Sequence, residues 1–190
     1  MSKLFVDEIV HQSSQGSGTI TIGASGETIS IPSGASMSGQ NYPAFFAYLN
    51  STQSLTNNVA GKVQFDTEIF DTDNCYDNST NYRFTPTVSG KYSVTLNIRS
   101  QCNATDNLLY FGCYLYKNGV FYQASFTDSR GTYKLSYSNT QEINTIVEMN
   151  GTTDYLEGYA LINVNTQTPT VLGISGGALS SHFCAYRIGT

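Results

Sequence analysis

The chain is short of charge and of several residue types that common functions require. Charged residues make up 12% of its 190 residues, there is no tryptophan, and there are only four prolines and two histidines. A share near 25% charged residues is usual. The nine Lys and Arg residues are scattered singly and form no basic stripe, so we expect no nucleic-acid partner. No apolar run approaches the ~20 residues that span a bilayer, so we expect no membrane insertion.

The cysteines lack the spacing of a metal or redox motif. They are Cys75, Cys102, Cys113 and Cys184, with no Cys-x-x-Cys pair, and neither His11 nor His182 stands at ligand spacing from them. We interpret them as mostly unpaired, small, buried apolar residues, with a disulfide as the alternative. The spacing predicts no zinc site.

From Tyr42 onward the pattern is that of an antiparallel all-β domain. Fourteen Tyr and ten Phe suit pleated, half-buried surfaces, and no segment sustains a 3.6-residue period. Short strands separated by turn residues predict a sandwich or jelly roll. Strands are predicted at residues 43–50, 60–70, 82–86, 90–101, 107–118, 120–126, 132–137, 141–148, 154–164 and 181–188. Asn118-Gly119 and Asn150-Gly151 are the strongest hairpin signals, because a type I′ turn requires positive φ at both central residues.

The first 41 residues differ in composition from the rest. Residues 12–41 are rich in Ser, Gly and Thr, and residues 19–23 and 28–32 alternate Thr or Ser with Ile, so that the isoleucines share one face. A two-stranded ribbon cannot bury that face by itself. We therefore predict an extended N-terminal attachment arm that becomes ordered on assembly, with a disordered linker as the alternative. Its apolar residues are Leu4, Phe5, Val6, Ile9, Val10, Ile20, Ile22, Ile29 and Ile31.

Six short motifs follow one another between residues 43 and 188. They are Pro43-Ala44-Phe45-Phe46-Ala47-Tyr48-Leu49, Val63-Gln64-Phe65-Asp66, Tyr82-x-Phe84-x-Pro86-x3-Gly90-x-Tyr92, Leu115-x-Lys117-Asn118-Gly119, Asn150-Gly151-Thr152-Thr153-Asp154-Tyr155-Leu156 and Ser181-His182-Phe183-Cys184-Ala185-Tyr186-Arg187-Ile188. In this order they resemble the complement globular-head and tumour-necrosis-factor-like jelly rolls, although Cys184-Ala185 replaces the family's Ser-Gly. The resemblance implies that residues 42–190 form an antiparallel jelly-roll head. It also implies a homotrimer that binds partners and catalyses nothing.

The layout of arm and head is similar to that of virion surface proteins of tailed bacteriophages. Residues 1–10 include Asp7 and Glu8 where a signal peptide needs an apolar core, so we expect no Sec export. The resemblance implies a non-enzymatic trimer on the virion surface, assembled in the host cytoplasm and anchored to major capsid or tail proteins as a capsid decoration protein or head fibre. The alternatives are a tail-fibre tip or adhesin for a host surface glycan or protein, and a secreted complement-like binding module.

Polar loops of the head hold the candidate ligand-binding residues. These are the acids Asp71, Asp73 and Asp77 and the tyrosines Tyr76, Tyr133, Tyr137 and Tyr155. Exposed tyrosines beside Asn and Asp can hold sugars by stacking and hydrogen bonding, although core and turn residues are the preferred interpretation. Clustered carboxylates suit Ca²⁺, although a solvated acidic loop is the preferred interpretation and no cofactor is predicted.

One catalytic pattern occurs and is rejected. Gly173-Ile174-Ser175-Gly176-Gly177 has the spacing of a nucleophile elbow, which requires a strand, a sharp turn and a helix. No helical pattern follows Ser175, and no acid is placed to orient His182. We therefore predict no catalytic residue.

Overall fold

The described part of the chain is entirely β. The computed structural model describes Thr28 and residues 42–102, 107–130 and 137–189, and all of these except Thr28 belong to the unit Asn41–Thr190. The strands are β1 (Ala44–Tyr48), β2 (Gln53–Ser54), β3 (Gly61–Lys62), β4 (Thr67–Asp71), β5 (Tyr76–Asp77), β6 (Arg83–Phe84), β7 (Gly90–Gln101), β8 (Leu108–Lys117), β9 (Val120–Asp128), β10 (Ser138–Met149), β11 (Leu156–Val164), β12 (Thr170–Val171), β13 (Ile174–Ser175), β14 (Ala178–Leu179) and β15 (His182–Gly189). No helix among these residues is long and apolar enough to cross a membrane. The predicted all-β class is confirmed.

The strands form two antiparallel sheets and a small hairpin. Sheet 1 has the order β2-β12-β7-β15-β1-β4, and β10 pairs with the other edge of β7. Sheet 2 has the order β5-β6-β11-β8-β9, with β3 also paired to β11. The last strand, β15, confirms the strand predicted at residues 181–188 and lies between β1 and β7, so it closes the core from inside a sheet.

The core lies between the two sheets because the long strands alternate apolar and polar residues. In β7 the side chains of Tyr92, Val94, Leu96 and Ile98 are fully buried, while the residues between them face outward. An aromatic cluster centred on Phe45 joins the sheets. The ring of Phe45 stacks on Tyr76 at 4.5 Å and on Phe84 at 4.7 Å, and meets Phe183 edge-on at 5.0 Å.

The four cysteines are thiols, and three of them are buried in this core or at its rim. Cys75, Cys102 and Cys113 are buried, Cys184 is half-buried, and none forms a disulfide. Burial raises the pKa of the Cys113 thiol. The prediction of small buried apolar cysteines is confirmed, and the disulfide alternative is wrong.

The two Asn-Gly signals had different outcomes. Asn118 (φ 54°) and Gly119 (φ 73°) form the predicted turn between β8 and β9. The hairpin predicted at Asn150-Gly151 is wrong, because the strands on either side belong to different sheets and only Gly151 has a positive φ. The Asn150 side chain instead shapes the crossing loop, where its Oδ1 accepts the backbone N–H groups of Thr152 and Thr153 at 2.9 Å.

Several other strand predictions changed in extent. The predicted strand at residues 60–70 is divided into β3 and β4, which lie in different sheets. The short strands β2, β5, β12, β13 and β14 were not predicted. Ser175 lies in the β13–β14 hairpin, where Gly176 and Gly177 both have positive φ, so the elbow pattern is a turn and no helix follows it. The predicted strand at residues 132–137 lies outside the described residues except for Tyr137, which is not in a strand.

The predicted attachment arm also lies outside the described residues, apart from Thr28. This applies to the residues assigned to it, Leu4, Phe5, Val6, Ile9, Val10, Ile20, Ile22, Ile29 and Ile31, and to the boundary at residues 41–42. The arm therefore stays a prediction.

Candidate ligand-binding pocket and self-association face

Asp77 organises the turn that connects β5 to β6. Its carboxylate accepts the backbone N–H groups of Ser79, Thr80 and Asn81 at 3.0, 2.8 and 3.1 Å, and the side-chain amide of Asn81 at 2.7 Å. These donors, the Thr80 N–H first among them, hold the pKa of Asp77 well below its usual range. The carboxylate is thus ionised near neutral pH, and its lone pairs are used within the turn.

Asp71 plays a similar role in the preceding loop, which connects β4 to β5. It accepts the backbone N–H of Tyr76 at 2.8 Å and that of Asp73 at 3.3 Å, and the thiol of Cys75 at 3.1 Å. Asp73 contacts the hydroxyl of Thr87. Within the described ranges no three His, Cys, Asp or Glu side chains form a group that could hold a metal ion. Asp71 therefore shapes the β4–β5 loop and Asp77 shapes the β5–β6 turn, which accounts for the closely spaced acids that suggested calcium.

An open pocket of about 390 Å³ lies beside this turn, at the edge of sheet 2. Its polar lining consists of Asn74, Asp77, Asn78, Ser79, Arg83 and Thr85. Because Asp77 and Arg83 are opposite each other in the β5–β6 pair, the carboxylate and the guanidinium stand on adjacent strands. Pockets of a few hundred Å³ are the size that holds a small ligand.

The Arg83 guanidinium is held over the ring of Tyr155. The distance from its central carbon to the ring centroid is 4.6 Å, which is a cation–π contact. Tyr155 is held in turn by the β8–β9 turn: its N–H donates to Asn118 Oδ1 at 2.9 Å, and its carbonyl accepts the Asn118 N–H at 3.0 Å. The Asn118-Gly119 turn recognised in the sequence therefore supports the pocket indirectly, through Tyr155 and Arg83.

The predicted ligand-binding tyrosines occupy different environments. For Tyr76 the possible ligand-binding role is wrong and the interpretation as a core residue is confirmed: it is 4% exposed, stacks on Phe45 and donates its hydroxyl to the carbonyl of Phe65 at 3.2 Å. Its position in β5 directs it into the core, and burial raises its pKa. Tyr137 is exposed and contacts Gln101 in sheet 1, while Tyr133 lies outside the described residues.

Two of the predicted residues, Asp77 and Tyr155, are brought to one site although 78 positions separate them. Sequence reasoning missed Arg83, which joins them. The signal was present in the Tyr82-x-Phe84 segment, where a single arginine stands between two aromatic residues in a chain with few cations.

The outward face of sheet 1 is a second candidate site, here called the outer face. Three cross-strand rows form it: Tyr48, His182, Asn97 and Glu142; Phe70, Phe46, Cys184, Thr95 and Asn144; and Tyr186, Ser93 and Ile146. Glu142 is the one charged residue in these rows. Phe70, Tyr186 and Ile146 are 46%, 56% and 57% exposed. Clustered large apolar side chains with little charge are typical of protein interaction surfaces.

Phe46, His182 and Phe70 form a cluster of ring contacts in the middle of the outer face. The ring of Phe46 stacks on His182 at 5.1 Å and contacts Phe70 at 6.4 Å. Nδ1 of His182 is buried and has no hydrogen-bond partner among the described residues. Burial lowers the pKa of His182, so the imidazole is neutral near pH 7.

Comparison with known proteins identifies the fold. No protein-family model matches the chain, and no curated protein does. Among solved structures it is similar to Eiger TNF from S. frugiperda, with a TM-score of 0.56 and 8% identity over 79% of this chain and 94% of that one. It is also similar to murine APRIL at pH 5.0, with a TM-score of 0.53 and 8% identity over 78% of this chain and 100% of that one. The chain has a TNF-like jelly-roll fold, which confirms the fold expected from the six motifs.

Proposed function

We propose that the protein is a non-enzymatic structural protein on the surface of a tailed phage, a homotrimer whose N-terminal arm attaches it to the capsid and whose jelly-roll head is displayed. The outer face carries the trimer part of the proposal. A single copy leaves large apolar side chains of sheet 1 in water, and burying them against identical neighbours stabilises a closed cyclic assembly. The order of arm and head in the sequence supports the virion part.

The trimer proposal predicts the solution mass of the full-length chain. Three chains of 20.7 kDa make about 62 kDa by light scattering. The double variant Tyr186→Asp/Ile146→Asp introduces two charges into the third row of the outer face, and we expect it to elute as a monomer because the buried charges would be uncompensated. The control is Val120→Asp, since Val120 is 68% exposed in sheet 2. A monomeric parent chain, or a double variant that keeps the mass of the parent, contradicts the proposal.

The attachment role predicts that binding to particles depends on residues 1–41. The full-length chain is expected to sediment with phage particles that lack it, and the variant Ile20→Asp/Ile22→Asp/Ile29→Asp/Ile31→Asp to remain in the supernatant, because the apolar face of the arm is replaced by charge. The mass of the variant in solution shows at the same time whether the arm or the outer face maintains the trimer. Equal sedimentation of both proteins would place the attachment in the head.

A tail-fibre tip that recognises a host receptor is the second candidate. The pocket beside the β5–β6 turn favours it, since a purely structural head has no need of an open polar pocket that an arginine lines. Both candidates use the same trimer and differ in what the head contacts.

A further inference from the structure

The pocket beside the β5–β6 turn is rich in hydrogen-bond donors and poor in available acceptors. The Asp77 oxygens are occupied by N–H groups of the turn. Within the described residues, the Arg83 guanidinium forms no ion pair and makes a cation–π contact with the Tyr155 ring. Arg83, which carries a planar fork of N–H donors, lines a pocket whose own carboxylate already accepts hydrogen bonds from the turn. Such a fork matches the geometry of a carboxylate, which it binds through two parallel hydrogen bonds.

The orientation of Arg83 is set by its neighbours before any ligand arrives. The cation–π contact with Tyr155 restricts the position of the guanidinium, and hydrogen bonds with Asn118 hold the backbone of Tyr155. The hydroxyl of Tyr155 would lie 3.3 Å from a Cβ at position 119, so the ring packs against the tip of the turn. Little side-chain entropy is then lost on binding, because the arginine is already held in place.

The rest of the polar lining suits hydroxyl groups. Asn74 and Asn78 offer amides and Thr85 offers a hydroxyl, each of which both donates and accepts hydrogen bonds. The Ser79 hydroxyl donates to Asp77 Oδ1 at 3.3 Å and offers its lone pairs. A volume of about 390 Å³ accommodates a single sugar ring with its first water molecules. A ligand that carries one carboxylate and several hydroxyl groups would form hydrogen bonds with the whole polar lining.

We propose that this pocket binds a carboxylate-bearing sugar, a uronic acid or the uronic acid unit of an acidic polysaccharide. Arg83 takes the carboxylate bidentately, and the amides and hydroxyls of the lining take the ring hydroxyls. Tyr155 is a positioning residue that acts through Arg83. The site does not depend on the oligomeric state or on the particle that carries the protein.

The test is binding of sodium galacturonate to the full-length chain, followed by NMR and by calorimetry, beside galactose as the neutral analogue. We expect saturable binding of galacturonate and binding of galactose that is about tenfold weaker, since the neutral sugar lacks the charged acceptor. Trigalacturonate separates the free uronic acid from the acidic polysaccharide as the ligand. Tighter binding of this trisaccharide than of galacturonate indicates the polysaccharide, and equal binding indicates the free acid. Equal binding of galactose, or binding of acetate as strong as that of galacturonate, overturns the proposal.

Variants assign the residues. Arg83→Gln is expected to weaken galacturonate binding about tenfold or more without changing galactose binding, and Arg83→Lys to weaken it less because charge remains without the fork. The control is Arg130→Gln, which makes the same charge change after β9, at the opposite edge of sheet 2. Tyr155→Leu is expected to weaken binding several-fold, and Tyr155→Phe to restore it, because the ring face positions Arg83. A thermal melt of each variant shows that it is folded, and unchanged binding in both Arg83 variants refutes the assignment.

Discussion

Replacing Phe45 by alanine is expected to lower the free energy of unfolding by roughly 3–5 kcal/mol. Phe45 is fully buried and is the ring on which Tyr76, Phe84 and Phe183 pack, so that its removal leaves a cavity where the two sheets meet. The neighbours are themselves held by strand pairing, which limits their collapse into that cavity. Denaturant unfolding at a fixed protein concentration measures the change, because the stability of an oligomer depends on concentration.

Phe126→Ala provides the matched control for Phe45→Ala. The substitution removes the same side chain as Phe45→Ala does. Phe126, however, is 60% exposed, and within the described residues its one ring contact is with Tyr110 at 5.7 Å. We expect it to cost about 1 kcal/mol or less, because most of its surface is already in water. Similar losses at the two positions would mean that the aromatic cluster is not the core that joins the sheets.

Replacing Gly151 by alanine is expected to destabilise the head by roughly 3 kcal/mol or more. Gly151 has φ +71°, and a Cβ there would overlap the backbone nitrogen of Ser89 and lie 2.5 Å from the carbonyl carbon of Val88. The atoms in the way are backbone atoms, so no side-chain rotation relieves the clash. The loop that crosses from sheet 1 to sheet 2 would have to move away from the start of β7.

Gly177→Ala separates backbone strain from the clash. Gly177 has φ +81°, similar to that of Gly151, but a Cβ there meets nothing within 4 Å. The expected cost is therefore that of the conformation alone, about 1–2 kcal/mol. The two variants are compared by thermal and denaturant unfolding. Equal effects would show that the crossing loop relaxes freely and that the contact with residues 88–89 does not restrict it.

The elements that could be predicted from sequence are those in which local signals agree with the sheet they enter. The twelve-residue alternation of β7 and the Asn118-Gly119 turn were recognised because side-chain period and turn chemistry are local properties. Asn150-Gly151 has the same two residue types but does not form a hairpin turn, since its flanking strands pair with partners far away in sequence. Tyr76 was named as a possible ligand-binding residue for a related reason: a two-residue strand has too short a pattern to show which face it buries.

The amino-acid sequence by itself determined the all-β class, the chain order of the long strands and the burial of the cysteines, because alternation, turn residues and composition act over short distances. Only the tertiary structure decided which tyrosines are core, which carboxylates are consumed by turns, and that Arg83 lies on Tyr155 beside Asp77. These are contacts between segments whose separation along the chain gives no signal of their distance in space. The same holds for the outer face, whose three rows exist only once five strands lie in register. Strand pairing brings scattered residues together, and it is this pairing that produced both candidate sites.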